Sequence, residues 1–453
     1  MTGAAPGTPK AALALLDQTL DIAKRAGADA ADAVFIRGES QSASVRLGAT
    51  ETLERSDGAD LGLRVFVNGR NASVSTTDLR DDSIRALAER VVAMAKAAPE
   101  DPLAGVADPD AIAVDPPQME MRDDAEPTAD ELIARALAAE DAARAVKGVT
   151  NSEGAEASWS RGLRAIAASN GFRGAYESGR HAVVASVLAA GADGRMEREY
   201  DYAVAVRMAD LDDPAAVGTR AAERTVRRVG GTRPATMAAP IVYDPRVAGG
   251  LVSALANAAN GASVARGASF FKDKKGETVA GAGITIIDDP LRPLGLRTRP
   301  FDGEGVAGAR MALLDGGVLT DWLLDLRSAR QLGLASNGRA SRGVAGAPSP
   351  SSTNLYMQAG TETPDALIGA IADGFYVTEL LGGGVNGVTG DYSRGASGFR
   401  IKQGKLDAPF NEATIAGNYK DMLMRMTPAN DLVHRFGVDA PTIRVDGLTV
   451  AGG

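Results

Sequence analysis

The chain has 453 residues, 45% apolar, 24% charged and only 4% aromatic, which predicts two large domains of an ordinary globular protein with cores of Ala, Val, Leu and Ile. A net charge of −9 and a pI near 5.1 argue against nucleic-acid binding as the main activity, because neutralising phosphates needs a net basic face. With no cysteine in the sequence, disulfides, thiolate zinc sites, iron–sulfur clusters and cysteine nucleophiles are all excluded.

The opening stretch MTGAAPGTPKAALALL has no basic segment leading into an apolar core, so no secretion signal is expected. No window approaches the ~18 uninterrupted apolar residues of a membrane span, and a cytoplasmic location is expected. Leu13, Leu16, Leu20 and Ala23 recur at helical spacing, which predicts an amphipathic helix over 10–27 closed by Gly27. The segments DAVFIRG, SASVRLG, ETLERSDG, LGLRVFVNG and NASVSTTD then alternate between Gly, Asn and Asp turns and predict short strands. A second helix is expected at Asp81–Ala97, a Pro- and Asp-rich connection over 99–127, and a third helix opened by a capping box from Thr128 to Glu131. Three further strand segments follow, with clear alternation at Tyr200, Tyr202, Val204 and Val206.

A helix from Pro214 to Val229 ends in the basic stretch Arg220 to Arg233, where cations complement the helix dipole. The Gly/Pro-punctuated segment 230–240 predicts a boundary, dividing the chain into 1–230 and 231–453. The second half opens with the strand PIVYDP and the small-residue helix RVAGGLVSALANAANG. Short strands with Gly turns follow, broken by helices near 363–373 and 419–426. The expected class is α+β: N-terminal helices packed on a mixed β-sheet, then a largely antiparallel, curved β-sheet with a few helices.

Two histidines, His181 and His434, are all the chain has, and neither has a metal-ligand neighbour at helical spacing. No nucleophile elbow, P-loop or dinucleotide fingerprint occurs. Three segments nevertheless carry glycines and charges that plain core strands would not need: RPFDGEGVAGARMALLDGGVLTDWLLDLRSARQLGL (299–334), FYVTELLGGGVNGVTGDYSRGASGFRIKQGKL (375–406) and EATIAGNYKDMLMRM (412–426).

In these segments, their order and their spacing, the chain resembles the C-terminal domain of the TldD/PmbA family, and within it the PmbA (TldE) branch. The opening half, with GLRVF-NGR-ASVST, is similar to the family's N-terminal domain more loosely. TldD-type members are zinc peptidases with an H-E-x-x-x-H motif on a helix early in that domain, the Glu acting as general base for a metal-activated water. On the matching helix of this chain Ser253 stands at the first His, Ala254 at the Glu and Ala258 at the second His. The resemblance therefore implies no catalytic residue, no metal ligand and no cofactor on this chain, with zinc on a TldD-type partner.

It further implies a cytoplasmic, two-subunit metallopeptidase acting on unfolded or extended peptides such as antitoxins and leader peptides of modified peptides. An extended peptide would pair with a sheet edge through its main chain. Gly382, Gly383, Gly384 and Gly387 would admit a close backbone, while Asp391, Tyr392, Ser393, Arg394, Asp302 and Glu304 are candidates for shaping the cleft or the subunit interface. A structural reading stands beside this: GDYSRG as a tight turn with Asp391 paired to Arg394, and Asp302 with Glu304 as a turn-stabilising carboxylate pair. KDKKGE at 272–277 is expected to be an exposed hairpin tip. The alternative function is a homodimeric peptide-binding scaffold without proteolysis. A Ser or Thr hydrolase would need His181 or His434 as base, and both lie outside the resembling motifs.

Overall fold

The computed structural model describes residues 5–452; the first four residues of the opening stretch lie outside them. Helix α1 (Pro9–Arg25) starts at Thr8, whose side chain accepts the Ala11 N–H, and buries Leu16, Leu20 and Ala23 as their spacing predicts. Three strands follow, β1 (Ala30–Arg46), β2 (Ala49–Val67) and β3 (Arg70–Thr76). Five short strands were expected here, and the structure has three, two of them long. Gly38 does not interrupt β1, because it is held in register between Gly58 of β2 and Gly162 of the next neighbouring strand. Paired ladders on both sides keep the backbone extended where a lone glycine suggests a turn.

Helix α2 (Asp81–Ala97) has the expected bounds. The connection 99–127 is irregular and crosses to the second half, where Arg330 donates to the carbonyls of Leu103 and Val106. Helix α3 (Ala129–Ala145) carries both halves of the Thr128–Glu131 capping box. Strands β4 (Asn151–Ala168), β5 (Arg173–Ala190) and β6 (Met196–Ala205) and helix α4 (Pro214–Arg228) complete the first half. The sheet order is β3-β2-β1-β4-β5-β6. Every pairing in it is antiparallel, so within the α+β class this sheet is uniform where a mixed one was expected.

Alternation assigns the two faces of this sheet. Ala31, Ala33 and Phe35 of β1 pack under α1 and α2, while Ala43 and Val45 pack under α3 and α4. Both helix pairs therefore cover one face, at opposite ends of the long strands. The other face carries Val34 and Ile166, which meet Phe172 of the β4–β5 turn and Phe301 of the second half. Phe301 lies edge-on to Phe172 at 5.0 Å and to Tyr176 at 5.3 Å. Burying one such aromatic contributes roughly 1.5–3 kcal/mol to holding the halves together.

The second half contains β7 (Met237–Tyr243), α5 (Pro245–Ala258), α6 (Gly261–Ala265), β8 (Ile286–Asp289), β9 (Met311–Asp315), β10 (Val318–Leu319), α7 (Leu326–Leu332), β11 (Ala340–Ser341), β12 (Ser349–Pro350), β13 (Asn354–Met357) and α8 (Pro364–Gly369). After these come β14 (Asp373–Val385), β15 (Asp391–Lys402), β16 (Lys405–Asn418), α9 (Tyr419–Arg425), β17 (Met426–Pro428), β18 (Val438–Asp439) and β19 (Ile443–Ala451). The larger sheet runs β16-β15-β14-β7-β19-β17, and β16 also pairs with β19. The expected curvature is strong enough to join β16, β15, β14, β7 and β19 into a ring, with β17 outside it and the end of β14 beyond Val377 unpaired with β7. Only β14 with β7 is parallel in it. Tyr243, Phe375, Phe410 and Tyr419 fill its core, where α5 lies. Residues 272–277 are exposed as expected, but as a turn with no flanking hairpin. Among the described residues no helix is long and apolar enough to cross a membrane.

Candidate functional site

Helix α5 begins at Asp244, whose carboxylate accepts the Arg246 N–H at 3.0 Å and the Tyr376 hydroxyl at 2.7 Å. Leu251, Val252, Leu255 and Ala258 face the core, so the helix is fixed along one side. Val247 and Gly250, near its start, border a cavity of about 380 Å³ together with β6, β14 and Arg394 of β15. From β6 come Glu199, Tyr200 and Tyr202; from β14 come residues 378–381. Arg246 donates to the Tyr200 carbonyl at 3.0 Å, lies 3.5 Å from Glu199 and covers the Tyr200 ring at 5.1 Å. Arg228 of α4 bridges Glu197 at 3.3 Å and Glu379 at 2.7 Å, tying the first half to β14.

Two unpaired strand edges flank this cavity. β6 is the last strand of its sheet and pairs with β5 alone. β14 pairs with β7 only across Phe375–Val377, so residues 378–385 pair with β15 alone. Such edges expose main-chain donors and acceptors that an added strand can satisfy. Sequence reading missed Glu199, Arg246 and Glu379, which come from three distant segments. The alternation of Tyr200 and Tyr202 was the one local signal.

The glycine-rich segment forms the end of β14 and the loop to β15. Gly382 and Gly383 have φ of +53° and sit in a bulge between the Leu381–Gly395 and Gly384–Ser393 pairs. Gly382, Gly383 and Gly387 are exposed, and the Gly387 carbonyl accepts the Phe270 N–H at 2.9 Å. The turn lies at 386–390, held by the Asn386 side chain, and GDYSRG opens strand β15. Asp391 accepts from Thr389 Oγ1 at 2.6 Å and from Asn418 at 3.3 Å, while Arg394 donates to the Leu380 carbonyl at 3.2 Å. The expected Asp391–Arg394 pair does not form, because residues three apart on a strand point to opposite faces. Tyr392 is buried with its hydroxyl 3.5 Å from that of Tyr243, and burial pushes both phenols up. Ser393 is exposed.

Asp302 and Glu304 lie elsewhere, inside the junction of the halves, at 2% and 7% exposure. Asp302 accepts the N–H groups of Glu304 at 2.8 Å, Val306 at 2.9 Å and Ala340 at 2.9 Å. Burial still raises its carboxyl above the usual range. Glu304 accepts the Leu326 N–H at 2.8 Å and stands 3.8 Å from Arg64; burial, with Asp302 next, pushes it up to about 8. Asp32 beside them binds both Arg64 and Arg342, and although burial opposes it these cations hold its carboxyl below the usual range. Asp302 thus stabilises its own turn, whereas Glu304 holds the start of α7 rather than that turn, and neither lines the strand-edged cavity.

His181 is buried with Nε2 3.8 Å from Asp123, and His434 stacks edge-on to Tyr356 at 4.7 Å; burial depresses both imidazoles. Neither lines the cavity. On α5, Ala258 is 3% exposed and Ala254 packs against the same core. Ser253, with one neutral hydroxyl, is the only side-chain donor at the three positions, a set that does not fit a zinc ion. Among the described residues no group of three His, Asp or Glu side chains is arranged to hold a metal.

Models of the PmbA/TldA metallopeptidase family match this chain in three parts: domain 1 at residues 31–95, the central domain at 122–229 and the C-terminal domain at 236–452. Metalloprotease PmbA of Escherichia coli O157:H7 is 36% identical over 94% of this chain and 92% of its own length. The Metalloprotease PmbA homolog of Haemophilus influenzae is 33% identical over 96% and 94%. A crystal structure from Bacteroides thetaiotaomicron, described as a modulator of DNA gyrase, superposes with a TM-score of 0.89 at 25% identity, covering 97% of this chain and 98% of that one. TldE from Thermococcus kodakarensis shares the fold, with a TM-score of 0.85 at 20% identity over 97% and 100%. Matched across nearly its whole length, the chain belongs to the PmbA/TldD metallopeptidase family, in its PmbA/TldE branch.

Proposed function

We propose that this chain is the metal-free subunit of a cytoplasmic two-subunit zinc metallopeptidase, paired with a TldD-type subunit that carries the zinc. The observation that carries this reading is the state of α5. The three positions matching the zinc motif hold Ser253, Ala254 and Ala258, and Ala258 is packed in the core where a ligand could not reach a substrate. The chain then contributes no nucleophile and no activated water. Its role is to bind and orient an extended peptide, such as an unfolded antitoxin or a leader peptide, beside the partner's metal.

Support for peptide binding comes from the two unpaired edges of β6 and β14 across one cavity. Main-chain pairing there reads backbone rather than side chains, which suits a broad range of sequences. Exposed Gly382 and Gly383 extend the β14 edge without side chains to block a neighbouring strand.

Native mass spectrometry of the chain alone and with a TldD-type protein, counting subunits and zinc, tests the proposal. A mixed complex whose zinc is all accounted for by the partner supports it. A stable homodimer that ignores the partner refutes it in favour of a peptide-binding scaffold. Stoichiometric zinc on this chain alone refutes the metal-free assignment.

A further inference from the structure

The uncovered face of the first sheet meets the second half across a separate cavity of about 340 Å³. Gly162 lies in its floor, with Gly38 and Gly58 directly beside it on β1 and β2, so the floor continues as a lane without side chains. Its walls carry Arg164 from β4, Arg297 and Arg299 from the loop before Phe301, and Arg342 just after β11, with Tyr176 and Ser178 of β5 among the remainder. A neighbouring cavity of about 290 Å³, bordered by Arg180, shares Gly162, Ser178, Leu296 and Thr298 with it.

Four guanidinium groups thus face one lining carboxylate, Asp302, whose oxygens are already engaged by the N–H groups of Glu304, Val306 and Ala340. Arg342 shares Asp32 with Arg64. Arg164 donates to the Arg342 carbonyl at 2.8 Å and Arg299 to the Ala340 carbonyl at 3.0 Å, and both bonds are to neutral acceptors. Among the described residues, Nε and Nη2 of Arg299 and Nε of Arg342 are buried without a hydrogen-bond partner. A guanidinium stays charged at any working pH, so burying its donors unpaired is costly and such groups are rare.

Arg339 shows how the same fold satisfies a buried arginine when its partners are built in. It pairs with Asp288 and donates to the carbonyls of Asn337 and Ala309. Among the described residues Arg299 has no such carboxylate, and its side chain donates only to the Ala340 carbonyl.

We propose that this cavity is an anion site that takes a small phosphate- or carboxylate-bearing molecule, its oxyanion held by Arg299 and Arg342 above Gly162. Arg164 and Arg297 add charge at the rim, and the hydroxyls of Tyr176 and Ser178 meet the rest of the ligand. Planar guanidinium forks suit the paired oxygens of such groups. A volume of this size admits a metabolite rather than a bare ion alone. The site is distinct from the strand-edged cavity and does not depend on the peptidase reading.

The test is calorimetric titration of the full chain with inorganic phosphate, ribose 5-phosphate and citrate, each against sodium chloride at equal ionic strength. The expected result is saturable binding of at least one of the three, weakened at least about tenfold by Arg299→Met. Arg164→Gln, at a partly exposed position, weakens binding several-fold and covers the case in which Arg299→Met does not fold. Tighter binding of ribose 5-phosphate than of phosphate assigns an organic phosphate, phosphate alone assigns the free ion, and citrate assigns a carboxylate ligand. No saturable binding of any probe overturns the proposal. So does binding that Arg164→Gln and a folded Arg299→Met leave unchanged.

Discussion

Gly383 lies against the backbone of Ser393: a Cβ added to it would stand 2.0 Å from the Ser393 carbonyl oxygen. Strand β14 carries one residue more than β15 at this point, and the bulge turns the β14 edge at the rim of the strand-edged cavity. Gly382 shares the same left-handed backbone, but nothing stands within 4 Å of where its Cβ would be.

Gly383→Ala is therefore expected to lower stability by about 1–3 kcal/mol through strain and a backbone clash. Gly382→Ala carries only the left-handed penalty, about 1 kcal/mol. Urea unfolding of both variants checks the ranking, and equal losses would count against the bulge described here.

The pair of Arg339 and Asp288 is fully withdrawn from solvent, and Asp288 also accepts the Thr353 N–H and hydroxyl. Asp288→Asn leaves Arg339 buried beside a neutral group, with an expected loss of about 3–5 kcal/mol. The same change at Asp57, whose pair with Arg37 is open to water, is expected to leave stability almost unchanged. Chemical denaturation of the two variants measures the contrast.

Glu304 is held up to about 8 by burial, against an ordinary 4.5. A carboxyl raised in the folded state binds its proton more tightly there than when unfolded. Its stabilising contribution is complete below pH 4.5 and is lost as pH rises toward 8, by up to about 1.4 kcal/mol per pH unit. The depressed imidazoles of His181 and His434 work in the opposite sense below pH 6.5. The informative quantity is thus the difference between the parent protein and Glu304→Gln across pH 4.5–8. That difference is expected to shift steadily with pH, and a flat difference would show that Glu304 titrates normally.

A histidine placed at Ala258 of α5 is expected to damage the fold before it builds a metal site. Ala258 is 3% exposed in the core, and Ala258→His overpacks it at a cost of about 1–3 kcal/mol. Ser253→His, at a half-buried position, is expected to be milder. Thermal unfolding ranks the two, and zinc analysis of purified Ser253→His/Ala258→His is expected to find no stoichiometric metal.

Features that depend on near neighbours along the chain were legible without tertiary information. The α2 bounds, the Thr128–Glu131 capping box and the buried stripe of α1 follow from side-chain period and from hydrogen bonds spanning a few residues. The family was legible too, because the three glycine- and charge-rich segments keep their order and spacing. Strand length in the first sheet was not. Gly38 is a break signal by itself and a ladder residue only when β2 and β4 arrive on either side.

By itself the sequence determined the α+β class, the α2 bounds and the family, because each depends on residue identity or local period. Only the tertiary structure decided that Asp302 and Glu304 are buried in the junction of the halves, that Asp391 and Arg394 face apart, and that Glu199, Arg246 and Glu379 meet around one cavity. It alone also decided that Nε and Nη2 of Arg299 are buried and unpaired. Burial and the partners of a charge depend on strands and loops far apart in the chain, and no local pattern records which of them will meet.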